Sequence, residues 1–154
     1  MKLCNDTITV FNARVDSTTG GNVWTQTVIT GVSWFMTDAS TVDASKGGLV
    51  AANKATIRIP TDAGFGGKAY TDPVSYKAAT SVTGLWTLQQ GDIIVKGSVP
   101  ASETVTNNGV SSTVAINWTP AKLKQAYGED CATVLGVTDN RRAPNAPHWR
   151  VTGA

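Results

Sequence analysis

Two runs of alternating polar and apolar residues flank a cluster of turn formers early in the chain, and together they constrain the fold more than any other feature. Thr7-Ile8-Thr9-Val10-Phe11 continues to Val15, turn formers run from Asp16 to Asn22 through Gly20-Gly21, and a second run extends from Val23 to Phe35. Period-two alternation puts successive side chains on opposite faces of a pleated strand, so the pair reads as a half-buried β-hairpin. In the second run Trp24, Val28, Val32 and Trp34 share the even register with Gln26 and Thr30, and Gly31 predicts a β-bulge.

The same kind of signal recurs along the chain. Thr56-Ile57-Arg58-Ile59-Pro60 is a compact strand closed by a proline that cannot donate to a ladder. Ile93-Ile94-Val95-Lys96-Gly97 follows the turn Gly91-Asp92, Thr113–Trp118 places Val114, Ile116 and Trp118 on one face, and Thr133–Val137 and His148–Val151 complete the strands. Thr119-Pro120 supplies an N-cap and a proline at the first helical position, and Gly128 ends the short helix. Thr37–Lys54 reads mostly as loop with room for one short strand. Thr61–Gly84 lacks periodicity beyond one helical turn at Pro73–Ala78, and Ser98–Ser112 reads as a hairpin tip or extended loop around Asn107-Asn108-Gly109. The predicted fold is mainly β: a small barrel or sandwich of six to eight strands with long loops and one short helix near 119–127, in a single domain over 1–154.

Composition bounds the function. A chain of 154 residues can bury a core without staples, and a charged fraction of 16% with net charge +2 argues against nucleic-acid binding by bulk electrostatics. Met1–Asp6 carries one lysine and no apolar stretch, and no segment approaches the roughly 20 apolar residues that cross a bilayer. The expectation is a protein made on the cytoplasmic side, or assembled there into something larger, with two reduced, partly buried thiols at Cys4 and Cys131.

Residues able to carry chemistry are sparse. His148 is the single histidine and has no ligand spacing with either cysteine, so a metal site is not expected. Asp62, Asp72, Asp92, Glu103, Glu129 and Asp130 sit mostly beside turn residues, where capping explains them. Gly64-Phe65-Gly66-Gly67-Lys68 lacks the spacing, the following Ser or Thr and the helix of a phosphate loop. Trp24, Trp34, Trp118 and Trp149 read as core residues, whereas Trp86 is less constrained and is expected to be open to exposure. Arg141, Arg142 and Arg150, with Lys46, Lys54, Lys68 and Lys77, are scattered as on a solvated surface, unless the long loops line a pore. No enzymatic activity and no cofactor are expected.

Four segments fall in a familiar order: Asp6–Asn12, Ala55–Pro60, Leu88–Gly97 and His148–Val151. The chain resembles a small family encoded in prophages of Gram-positive bacteria, and its layout is similar to the head-closure, or stopper, proteins of long-tailed phages. Those begin with a tryptophan-bearing strand hairpin and an extended loop, followed by an Arg- and Ile-rich strand, a G-D-x-I strand and a closing H-W-x-V strand. A longer insertion between Val99 and Trp118, with a helix after it, departs from that layout and leaves stopper, adaptor and tail-terminator roles open.

The resemblance implies a virion protein: a β-barrel subunit of a homo-oligomeric ring beneath the portal, contacting portal or adaptor proteins and tail-terminator or tail-tube proteins. It would hold packaged double-stranded DNA non-specifically in the channel, without a membrane. On that reading Lys68, Lys77, Asn107 and Asn108 are candidates for the channel-facing loops, and Trp86, Arg141 and Arg142 for inter-subunit contacts. One long loop, Thr61–Gly84 or Ser98–Ser112, is expected to line the channel and to be removable without unfolding the subunit. The alternatives are a tail terminator or minor tail protein and, from another class, a carbohydrate-binding module with tryptophans as sugar platforms; an enzyme ranks last.

Overall fold

The computed structural model describes residues 3–15, 20–37, 40–43, 48–51, 53–99, 103–105, 116–118 and 120–154. Six antiparallel strands close into a barrel: β1 (Asp6–Val15), β2 (Asn22–Thr37), β5 (Lys54–Pro60), β12 (His148–Gly153), β11 (Cys131–Asn140) and β8 (Ile93–Lys96), in that order around the wall. The remaining described strands pair outside it. They are the antiparallel β3 (Ser40–Asp43) and β4 (Gly48–Ala51), the parallel β6 (Ala69–Tyr70) and β7 (Leu85–Trp86), and the parallel β9 (Glu103–Val105) and β10 (Ile116–Trp118).

Closure depends on two long strands that change partner midway. β2 pairs with β1 from Asn22 to Val32 and with β5 from Ser33 to Thr37. The change falls at Gly31, where the β1–β2 register slips by one residue and φ is +78°. A bulge at a glycine in the left-handed region bends and over-twists its strand, which is what a barrel corner requires. β11 repeats the device: Cys131–Thr133 pairs with β8, Val134–Asn140 pairs with β12, and a slip between Val134 and Gly136 sets Leu135 outside the ladder and half-exposed. β8 then returns to β1, from Ile8↔Lys96 to Phe11↔Ile93.

The Gly31 bulge is where sequence expected it, but it reverses strand parity. Ile29 is fully buried in the barrel while Val28 is only partly buried, and after the slip Val32 and Trp34 turn inward. The shared even face expected for Val28, Val32 and Trp34 is therefore corrected. Ile8, Val10, Ile29, Val32, Ile57, Ile59, Ile94, Val134, Trp149 and Val151 fill the interior.

A second cluster packs on the outside of the wall. Phe11, Trp24, Ile93, Val95, Val99 and Cys131 gather under Leu123 of helix α2 (Pro120–Tyr127). β8 is thus buried on both faces, which accounts for its unbroken Ile-Ile-Val run. The helix has proline at its first position and yields at Gly128, φ +56°, to a short 3₁₀ turn.

The segment 61–84 is not a free loop. Gly64 exchanges two 2.9 Å backbone bonds with Thr30, and Phe65 and Tyr70 pack against the barrel core. Helix α1 (Pro73–Ala78) is capped by Asp72, which accepts from the Ser75 N–H, and buries Tyr76 completely. The rings of Phe65, Tyr70, Trp86 and Trp149 form one cluster with centroids 4.7–6.2 Å apart. Removing 61–84 would strip side chains from the core, so its expected dispensability is corrected. Residues 37–54, expected to be mostly loop, contain the β3–β4 pair. β9 and β10 pair in parallel, and the hairpin tip or extended loop expected around Asn107-Asn108-Gly109 lies outside the described residues.

Gly31→Ala tests the corner directly. An added Cβ would meet nothing closer than the Cys4 carbonyl oxygen at 3.8 Å, so its effect comes from backbone strain rather than a clash. We expect a loss of about 1 kcal/mol in urea unfolding; an unchanged midpoint would show that the bulge does not need its left-handed residue.

Candidate functional site

The far end of the β1–β2 hairpin and helix α1 enclose a two-lobed groove. One lobe, of about 560 Å³, is walled by Trp24, Gln89, Ile93 and Pro120; the other, of about 410 Å³, by Val23, Thr25, Thr80 and Val82. Arg14, Val15 and Lys77 line both. β1 delivers Arg14 at its exposed end, and Arg14 donates through Nη2 to the Ala79 carbonyl, tying the hairpin to the end of α1. Lys77 lies in the last turn of α1 with an exposed side chain. Among the described residues, the charged ones that line it are these two cations, and Val15 and Val23 add exposed apolar surface beside them. Such a groove suits an anionic or mixed acidic–apolar group.

Behind the groove floor lies a buried carboxylate. Asp92 is completely buried and accepts four hydrogen bonds: from Asn12 Nδ2 at 2.7 Å, and from Ala13 N, Gln89 N and Gln89 Nε2 at 3.1 Å each. Asn12 also donates to the Thr87 carbonyl at 2.7 Å and accepts from the Thr87 N–H at 3.2 Å. Burial pushes the Asp92 carboxyl up to about 6, against the pull of its donors. Closed off from the groove, it braces the walls and touches nothing bound there. Its neighbours Gly91 and Gln89 marked a turn in the sequence; nothing local marked its burial, which depends on Asn12 arriving from β1.

The predicted site residues fall in several places. Lys68 is half-buried and directs Nζ at the Gln26 carbonyl (2.7 Å) and Thr27 Oγ1 (3.1 Å), and burial lowers its pKa. It stitches its segment to β2. Lys77 lines the groove, while Asn107 and Asn108 lie outside the described residues. Trp86 is completely buried, so the expected exposure is corrected: the barrel's own aromatic cluster occupies it and leaves it no surface for a neighbouring subunit. Arg141 forks onto Asp139 (Nε–Oδ1 2.9 Å, Nη2–Oδ2 2.7 Å) and lies over the rings of Tyr70 (5.0 Å) and Trp149 (5.2 Å). Hydrogen bonding from Arg141 holds the Asp139 carboxyl down at about 2. Arg141 thus caps the aromatic cluster, and Arg142 beside it is exposed.

His148 is engaged on both nitrogens, Nδ1 donating to the Ala146 carbonyl (2.8 Å) and Nε2 accepting from Asn140 Nδ2 (3.3 Å). Cys4 and Cys131 are not joined by a disulfide, and burial pushes the Cys131 thiol up to about 11. Among the described residues no three His, Cys, Asp or Glu side chains come together as a metal site would need.

The chain belongs to a family of unknown function, DUF6751, whose model matches residues 3–154. No curated protein and no solved structure matches it.

The buried carboxylate gives a pH signature. A folded-state pKa near 6 against 3.8 unfolded means that the folded chain binds the proton more tightly, so stability rises as pH falls from about 6 toward 4. The full span of that gain is roughly 3 kcal/mol. Urea unfolding at pH 7 and pH 4.5 should show part of it in the native chain and none of it in Asp92→Asn. Equal pH slopes for the two proteins would refute the assignment. At pH 7 Asp92→Ala, which orphans buried donors, should lose about 3 kcal/mol.

Proposed function

We propose that this DUF6751 member is a structural assembly subunit of a phage neck, with head closure as the leading role: one copy in a ring that joins portal or adaptor to tail and retains packaged DNA. The observation that carries the reading is a closed barrel filled by its own side chains, from Ile8 and Ile57 to Trp149, so that contact surface lies on the outside and at the ends. The strand pairs β3–β4 and β9–β10 are not part of the barrel's strand order. Exposed apolar side chains, among them Phe35, Leu135, Val74 and Val15, lie on different elements. A ring needs two different patches per subunit that close by rotation, and the Arg14–Lys77 groove with Val15 and Val23 is a candidate for one of them. The motif order of strands β1, β5, β8 and β12 adds to this support.

Nothing in this role requires catalysis. His148 bonds to Ala146 and Asn140, and Asp92 is sealed in the wall. No helix among the described residues is long and apolar enough to cross a membrane. A tail terminator or minor tail protein would use the same kind of surface, and position in the particle separates it from head closure. The sugar-binding alternative is disfavoured, because Trp24, Trp86 and Trp149 are buried and Trp34 packs partly buried on the core.

Negative-stain electron microscopy of the purified protein, alone and with portal complexes, tests the reading. We expect rings, or an added layer of density beneath the portal. Rings that do not bind the portal would favour the terminator role, and monomers that ignore the portal would overturn the assembly reading.

A further inference from the structure

The barrel wall is asymmetric: α2 covers the outside of β1, β8 and the start of β11, whereas the outer face of β5 and β12 presents the exposed Arg58 and Arg150. Along β5, Ile57 and Ile59 point inward and Arg58 outward; along β12, Trp149 and Val151 point inward and Arg150 outward. The register sets Arg58 and Arg150 directly opposite each other, with Ser33 of β2 and Thr138 of β11 at the two ends of the same row. The next row along is Phe35, Thr56, Thr152 and Gly136, and Lys54 follows on β5 opposite Thr37. Both arginines are exposed, and no described carboxylate pairs with either. The outward positions of β5, β12 and the stretches of β2 and β11 paired with them hold no Asp or Glu.

Like charges directly opposite on a sheet destabilise it, their Cβ atoms being only about 5 Å apart. Isolated stability therefore does not account for this pair, while an anion laid across it would relieve the repulsion. Arginines flanked by Ser and Thr hydroxyls, with another cation about 13 Å along the strand, match what phosphate backbones receive from proteins. A protein partner would call for an apolar centre, and among the described residues this face carries its exposed apolar side chains, Phe35 and the bulged Leu135, at its margins. We propose that the outer face of β5 and β12, through Arg58, Arg150 and Lys54, is a sequence-independent docking surface for the phosphate backbone of duplex DNA. The partner class is shared with the assembly reading, and the inference assigns the contact to the barrel wall instead of the loops.

Fluorescence anisotropy of the isolated full chain with a short labelled duplex DNA, over a salt series from about 50 mM upward, tests it. We expect salt-dependent binding indifferent to base sequence. Arg58→Ser and Arg150→Ser should each weaken it about three- to tenfold and lower the salt slope by about one, with Lys54→Ser doing less. Thermal unfolding should leave the two arginine variants at least as stable as the native chain, since each removes a repulsion. Should an arginine variant fail to fold, Lys54→Ser and competition by inorganic phosphate still report on the face. No binding to duplex at low salt, binding that ignores all three substitutions, or binding to polyglutamate in place of DNA would each overturn the proposal. Ring formation plays no part in this assay, so the DNA surface and the assembly role stand or fall separately.

Discussion

The Asp92 carboxylate is the interaction on which the rest of the barrel hangs. It sits at the corner where β1, β8 and β11 meet, and its four donors come from β1 and from the strand entry before β8. The same turn is bonded to β11 through the backbone, Gly91 N to Val134 O at 2.9 Å and Val134 N to Asp92 O at 2.8 Å. Three strands that come from distant parts of the chain are therefore fixed to one another at a single turn. A buried charge is tolerable only when its hydrogen bonds are complete, so this corner admits one register and no sliding. Specificity of pairing, more than net stabilisation, is what such a group contributes here.

That fixed corner explains how so few residues close a barrel. With β8 held against both β1 and β11, the remaining wall has to turn through two more corners, and the bulges at Gly31 and Leu135 supply them inside continuous strands. Gly153 belongs to the same arrangement. A Cβ there would lie 2.9 Å from the Thr133 carbonyl and 3.1 Å from the Ala132 side chain, so its absence lets β12 close on β11 beside the second bulge. Ala154 then exchanges bonds of 3.0 and 2.9 Å with Thr133.

Local pattern made much of this legible. The β1–β2 hairpin, the bulge at Gly31, the strands around Ile57, Ile94 and Val151, and the helix from Pro120 to Gly128 all follow from alternation, glycine conformation and proline placement. What escaped was anything set by a distant partner. Val28 and Ile29 exchange faces because the bulge resets parity, and Trp86 is buried because Phe65, Tyr70 and Trp149 surround it. Asp92 looked like one more turn aspartate until Asn12 and Gln89 enclosed it. Of the candidate site residues, Lys68 and Arg141 proved to be braces, since an acceptor or an aromatic face nearby is invisible in a linear sequence.

The same reasoning separates the two halves of the barrel's outer surface. Where α2 lies, the wall carries Phe11, Trp24, Ile93 and Val95 outward, and the fold completes itself by covering them. Away from α2, the wall carries Arg58 and Arg150 side by side with hydroxyls around them. Alternation predicts that Arg58 faces out, but only the β5–β12 pairing makes it the neighbour of Arg150. An outward apolar face is satisfied within the chain. An outward row of unpaired cations is satisfied by solvent, at the cost of mutual repulsion, or by an anion from outside. Among the described residues, the half of the wall away from α2 is thus also the half whose charge no carboxylate balances.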